Sequence, residues 1–182
     1  MKRLVLAGLL ACGLAATAHA EINILAAPDL VKAVTSNDLG LARQQLMRGE
    51  NPNVADIGGR TPLIHSIIAG FPDMAKLLLD GGARPDRADR TGNPPLHFAA
   101  ESGSLEMVEL LLAKGAKPDQ ENKQGVTPLM VAARSGKADV VERLLKAGAK
   151  PDRADFTGRD ALSWAQESRN SRVATLLRQA KR

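Results

Sequence analysis

One spacing constrains this chain more than any other feature: its residue classes recur every 33 positions. Leu30, Leu63, Leu96, Leu129 and Leu162 share that step, as do Gly49, Gly82, Gly115 and Gly148. Pro52, Pro85, Pro118 and Pro151 follow it too, and so do Gly59, Gly92, Gly125 and Gly158. Four residue classes in one register mean a repeated supersecondary unit. A unit of that length cannot bury its own apolar face, so copies must stack on one another in a quasi-one-dimensional array.

The residues around the leucines define the unit. Thr61-Pro62-Leu63, Pro94-Pro95-Leu96-His97-Phe98-Ala99-Ala100 and Thr127-Pro128-Leu129-Met130-Val131-Ala132-Ala133 are followed by Gly70, Gly103 and Gly136. A threonine oxygen accepts from the free N–H groups of a helix's first turn, and proline fits that turn because no hydrogen bond is lost there. Glycine takes the left-handed conformation that ends a helix, so a short helix is predicted between the two signals. A second helix starts at Ser104-Leu105-Glu106, with Leu105, Val108, Leu111 and Leu112 expected on its buried face. It should end at Gly115, with Gly82 and Gly148 closing its neighbours, and Lys117-Pro118-Asp119 to Gly125 reads as extended chain and tight turn. Composition agrees: 44% of the 182 residues are hydrophobic but only 2% aromatic, which suits helices packed through Leu, Ala and Val. So few aromatics argue against a base-stacking nucleic-acid module.

These motifs resemble the ankyrin repeat, with its T-P-L-H-x-A-A-x-x-G stretch followed by V-x-x-L-L-x-x-G-A. The resemblance implies an all-α solenoid of stacked helix-turn-helix units joined by β-turn or hairpin loops. Well-formed repeats are expected at 57–89, 90–122 and 123–155, between degenerate capping repeats at 28–56 and 156–182. In the first cap Asn37 stands where the helix-ending glycine belongs, and Gln44 and Gln45 are polar. In the last, Asp160-Ala161 replaces Thr-Pro and Arg169-Asn170 replaces the glycine. Such departures suit end units whose outer faces meet water.

Residues 1–20 have a basic start, an apolar run and the small-x-small end Ala18-His19-Ala20, the three parts of a secretory signal peptide. Cleavage after Ala20 removes Cys12, the only cysteine, and leaves 21–27 as a lead-in. The apolar run is shorter than the roughly 20 residues a membrane span needs. A periplasmic location is therefore expected, in line with a similarity to bacterial exported ankyrin proteins. The alternative reads Leu9-Leu10-Ala11-Cys12 as a lipobox, with Cys12 lipidated in an envelope-anchored protein.

Little in the sequence points to catalysis, and no cofactor is expected. His97 occupies the motif position whose imidazole bonds to backbone or to the threonine of a neighbouring repeat, as the resemblance implies. His65 is displaced by one place from it. An enzyme, as a further alternative, would be metal-dependent and need His65 and His97 to converge with carboxylates. Asp86, Asp119 and Asp152 recur once per repeat and read as turn-capping acceptors. The formal charge is only +5, with acids interleaved among the bases, which argues against nucleic acid.

Repeats of this kind bind proteins through a concave face of turn tips and late first-helix positions. The resemblance places Ile57, Arg60, Ile68, Arg90, Asn93, Glu101, Lys123, Val126, Arg134, Phe156 and Arg159 there. Large apolar groups at Ile57, Ile68 and Phe156 stand beside five cations, Arg60, Arg90, Lys123, Arg134 and Arg159. Phe98 and Trp164 are read as core. The expected partner is a protein with an acidic or mixed acidic and apolar surface, bound by a monomer.

Overall fold

The computed structural model describes residues 29–181. The signal peptide at 1–20, the lipobox ending at Cys12 and the lead-in at 21–27 lie outside the described residues. Within them ten helices follow one another in five pairs, without a strand. The pairs are α1 (Asp29–Thr35) with α2 (Leu39–Met47), α3 (Pro62–Ala69) with α4 (Pro72–Asp80), and α5 (Pro95–Ser102) with α6 (Leu105–Ala113). They continue as α7 (Pro128–Arg134) with α8 (Ala138–Lys146), and α9 (Ala161–Glu167) with α10 (Ser171–Ala180). First helices pack on first helices (α1, α3, α5, α7, α9) and second helices on second helices (α2, α4, α6, α8, α10). The chain is thus the all-α repeat solenoid that its period predicts.

The start signals act as their chemistry requires. Thr61 Oγ1 accepts from the Ile64 amide and Thr127 Oγ1 from the Met130 amide, both at 3.3 Å. Asp160, in the threonine position, caps α9 in the same way by accepting from the Ser163 amide at 2.8 Å. Gly70 and Gly103 end their helices in the left-handed region. Asn37 and Arg169, which lack the glycine, adopt the same region with φ of 53° and 57°. The turn therefore survives the substitution at both ends, at some backbone strain. Asn170 adds a second seal, its amide donating to the last carbonyls of α7 at Ala133 and Arg134.

Leu30, Leu63, Leu96 and Leu129 are fully buried on the first-helix row. On the second-helix row the buried positions are Leu78, Leu111, Leu144 and Leu177, with Met74, Met107, Val140 and Val173 beside them. Two expectations are corrected here. Leu105 is exposed and Met107 takes its place in the core, because the inward face of α6 runs through Met107, Val108 and Leu111. Gln45 does not meet water: it is 5% exposed, since it stands in the register of Leu78 and Leu111 and so points inward.

The repeats are also zipped through their loops. The Arg90 amide donates to the Gly58 carbonyl at 2.9 Å, Lys123 to Thr91 at 3.4 Å, and Phe156 to Gln124 at 3.0 Å. Gly59 shows how close this approach is. Its φ is +78°, and a Cβ there would lie 2.5 Å from the Arg90 backbone nitrogen, so any side chain would force adjacent hairpins apart. A further set of bonds crosses at the second-helix ends. Asn53 Oδ1 accepts from the Arg84 amide and Asp119 Oδ1 from the Lys150 amide. Asp119 was expected to cap its own turn; the structure shows it bonding to the next repeat instead.

One position departs from the pattern at a cost. His97 is 4% exposed and its Nε2 donates to the Val126 carbonyl of the next repeat at 2.8 Å, while its Nδ1 has no partner. In the next repeat Met130 takes the His97 position, and its Sδ accepts from the Thr127 N–H at 3.4 Å. Pro94, at the helix cap before His97, has neither N–H nor hydroxyl to offer. Restoring both by Pro94→Thr should raise the unfolding free energy by about 1 kcal/mol, after the loss of proline's rigidity is offset. Chemical denaturation of the two proteins checks this, and an unchanged or lower midpoint contradicts it.

Candidate functional site

Four loops between helix pairs fold as hairpins, and each is built on one side chain. Asp56, Asp89, Asn122 and Asp155 recur at the 33-residue step. The Oδ1 of each accepts from the amides two and four residues ahead: Gly58 and Arg60, Thr91 and Asn93, Gln124 and Val126, Thr157 and Arg159. The sequence reading missed this set, although its spacing signals it as clearly as the glycines do. These four residues hold the tips that carry Ile57, Arg90, Lys123 and Phe156. Those tip residues form one row, because consecutive hairpins are bonded through their backbones.

Two further rows run beside the tips. Arg60, Asn93, Val126 and Arg159 lie on the returning limb of each hairpin, and Ile68, Glu101, Arg134 and Glu167 lie late in the first helices or at their last residue. Ile57, Ile68 and Phe156 are 74%, 51% and 75% exposed, which confirms large apolar groups in water. Val126 is half-buried, and Asn93 Oδ1 is occupied by the Asn122 amide at 2.7 Å, so these two belong to the wall between hairpins.

Over the last three pairs the rows enclose a groove of about 420 Å³ whose lining includes Phe98, Val131, Trp164, Glu101, Arg134 and Arg159. Phe98 and Trp164, expected as core, therefore also form groove wall. The guanidinium carbons of Arg159 and Arg134 lie 4.4 and 5.1 Å from the centroid of Trp164, whose Nε1 donates to Asp155 Oδ2 at 3.1 Å. Arg134 also pairs with Glu101 at 3.4 Å, and Arg159 with Asp155 and Glu167 at 3.2 and 3.3 Å. Two of the five cations on this face are thus neutralised by carboxylates on the same face. Among the described residues Arg60, Arg90 and Lys123 have no carboxylate within 4.0 Å, and all three are exposed.

Two of the hairpin acids, Asp155 and Asp56, are held below the ordinary carboxylate range. Burial alone would raise the Asp155 carboxyl, but hydrogen bonds from Thr157, the Arg159 amide and the Trp164 indole outweigh it and hold it at about 2. Asp56 is lowered in the same sense, with burial opposed by the Arg60 amide and the His65 ring. His65 and His97 do not share a site. His65 Nε2 lies 3.0 Å from Asp56 Oδ2, whereas His97 Nε2 is taken by the Val126 carbonyl. Among the described residues no three His, Cys, Asp or Glu side chains are grouped to hold a metal ion. No helix among them is long and apolar enough to cross a membrane.

Burial drives His97 from its ordinary value near 6.5 down to about 4, against the opposing bond to Val126 and the charge of Asp89. The unfolded chain therefore binds the proton more tightly than the folded one. Stability from this group is complete above about pH 6.5 and is lost as pH falls towards about 4. Between neutral pH and about pH 5 the loss should be on the order of 2 kcal/mol. His97→Met, which copies Met130, should remove that slope. Denaturant titrations of parent and variant across this range measure it, and parallel pH profiles would contradict it.

The family model for ankyrin repeats, a three-copy unit, matches residues 30–122 and again 114–181. No curated protein matches the chain. Ankyrin repeats are generally protein–protein interaction modules, so a protein partner is implied. With its period, its helix pairs and this match in agreement, the chain belongs to the ankyrin-repeat family.

Proposed function

We propose that the chain is a non-catalytic interaction protein of the bacterial periplasm. It binds a partner protein with an acidic or mixed acidic and apolar surface, and thereby inhibits, protects or scaffolds it. The observation that carries this reading is the division of charge on one face. Arg134 and Arg159 are spent on Glu101, Glu167 and Asp155, while Arg60, Arg90 and Lys123 stand exposed without a carboxylate among the described residues, in the same rows as the exposed Ile57 and Phe156. An unpaired cation at the surface gains most from a partner's carboxylate, and flanking apolar groups supply the area that charge alone does not. The signal-peptide pattern at residues 1–20 supports export.

A stack of this size can present about 800 Å² per partner, the half-interface of a stable complex. Its tips are already ordered by the Asx bonds and the bonds between hairpins, so little ordering cost remains for binding. The combined substitution Arg60→Glu, Arg90→Glu, Lys123→Glu should abolish capture of the partner from a periplasmic extract and leave the helical circular-dichroism spectrum unchanged. The control Arg84→Glu, Lys117→Glu, Lys150→Glu reverses the exposed basic row on the opposite loops and should leave capture intact. Capture that survives the first set, or is lost only with the second, would refute the assignment of this face.

A further inference from the structure

One row on the first helices has a gap in it. Phe98, Val131 and Trp164 occupy the same place in three consecutive units, on α5, α7 and α9. Because α7 packs between α5 and α9, the short Val131 side chain stands between two large rings. All three line the groove of about 420 Å³. A small side chain flanked by two aromatic ones leaves a socket with aromatic sides.

The charges around the socket select what enters it. Arg134, on α7, reaches both ways: it pairs with Glu101 on α5 at 3.4 Å, and its guanidinium carbon lies 5.1 Å from the centroid of Trp164 on α9. Arg159 lies 4.4 Å from the same centroid and pairs with Asp155 and Glu167. An incoming cation gains little, because the ring already carries two guanidinium groups. An incoming carboxylate gains little as well, since it would only replace Glu101 or Glu167 in an exposed pair of small worth. A neutral ring gains most, because guanidinium planes and aromatic walls attract it beyond the burial that an aliphatic side chain would share. One edge of the groove is different. Asn122 and Gln124 line it, and Lys123 between them in the chain is exposed, without a carboxylate within 4.0 Å among the described residues.

We propose that the socket over Val131 anchors one aromatic side chain of the protein partner, on a segment whose neighbouring acidic residue meets Lys123. The ring enters between Phe98 and Trp164 and lies against the guanidinium of Arg134. Its site is formed in advance: the Trp164 indole is fixed by its bond to Asp155 at 3.1 Å, and Arg134 by Glu101. An aromatic side chain filling such a pocket is the kind of contact that dominates the energy of an interface. The inference rests on the concave face being the binding surface and adds the residue type that anchors the partner there.

The site carries its own reporter, because Trp164 is the only tryptophan of the chain and there is no tyrosine. The protein is titrated with the end-blocked peptide Glu-Glu-Phe-Glu-Glu and with the same peptide carrying Leu or Lys in place of Phe, following Trp164 fluorescence and heat. The Phe peptide should change the Trp164 emission and bind about fivefold more tightly than the Leu peptide and about tenfold more tightly than the Lys peptide. Val131→Phe fills the socket and should abolish that binding, with the helical circular-dichroism spectrum retained. Should Val131→Phe not fold, the exposed Arg134→Met decides, and it should bring the Phe and Leu peptides to within about twofold of each other. Lys123→Glu should weaken the Phe peptide about fivefold. No binding of the Phe peptide, equal or tighter binding of the Leu or Lys peptide, or a preference for Phe that survives in folded Val131→Phe or in Arg134→Met would overturn the proposal. If it is overturned while the triple reversal of Arg60, Arg90 and Lys123 still abolishes capture of the protein partner, the binding face stands and only the socket falls. If the triple reversal leaves capture intact, the face is wrong and the socket falls with it.

Discussion

The amide of Arg90 bonded to the carbonyl of Gly58, with its counterparts at Lys123 and Phe156, is the joint on which the rest depends. Each helix pair buries its leucine only if the next pair lies at a fixed distance and register. The loops set that register by bonding edge to edge. Asp56, Asp89, Asn122 and Asp155 then hold every hairpin in the shape that makes the bond possible. Glycines at positions such as Gly59 leave room for it, so the period in the sequence is the imprint of a contact between repeats rather than of a contact within one. Nearest-neighbour coupling of this kind is what makes such an array unfold as a unit.

The same joint has a functional consequence. Because the framework positions are spent on holding neighbours together, only the tips and the late first-helix positions are free to differ from repeat to repeat. Along that free surface the two ends of the stack behave differently. Towards the C-terminus Arg134 and Arg159 are packed against Trp164 and balanced by acids, which gives a rigid, nearly neutral wall. Towards the N-terminus and centre the cations have no balancing acid among the described residues. Charge on this face is therefore graded, and the grade arises from which neighbouring repeat happens to carry a carboxylate.

What could be read from the sequence follows from the same distinction. Helix starts at Thr61 and Thr127 and stops at Gly70 and Gly103 were legible, because capping and left-handed turns are local chemistry repeated in register. The solenoid itself was legible from the period. Gln45 was misjudged because its polarity was weighed above its register with Leu78, and Leu105 because a helical face was drawn from spacing without knowing where the neighbours lay. The pairing of Arg134 with Glu101 crosses 33 residues, so no local pattern announces it. Trp164 was read as core, and its second role, as a groove wall under two guanidinium groups, exists only once adjacent repeats are stacked. The Asp and Asn residues that hold the hairpins were the avoidable omission, since they obey the period already found.

Hydrogen-exchange mapping of the chain with and without its captured partner locates the binding face. Slowed exchange is expected at the four hairpin tips, 57–60, 90–93, 123–126 and 156–159, with α4, α6 and α8 unchanged. Protection confined to those second helices, with the tips exchanging as in the free protein, would contradict it.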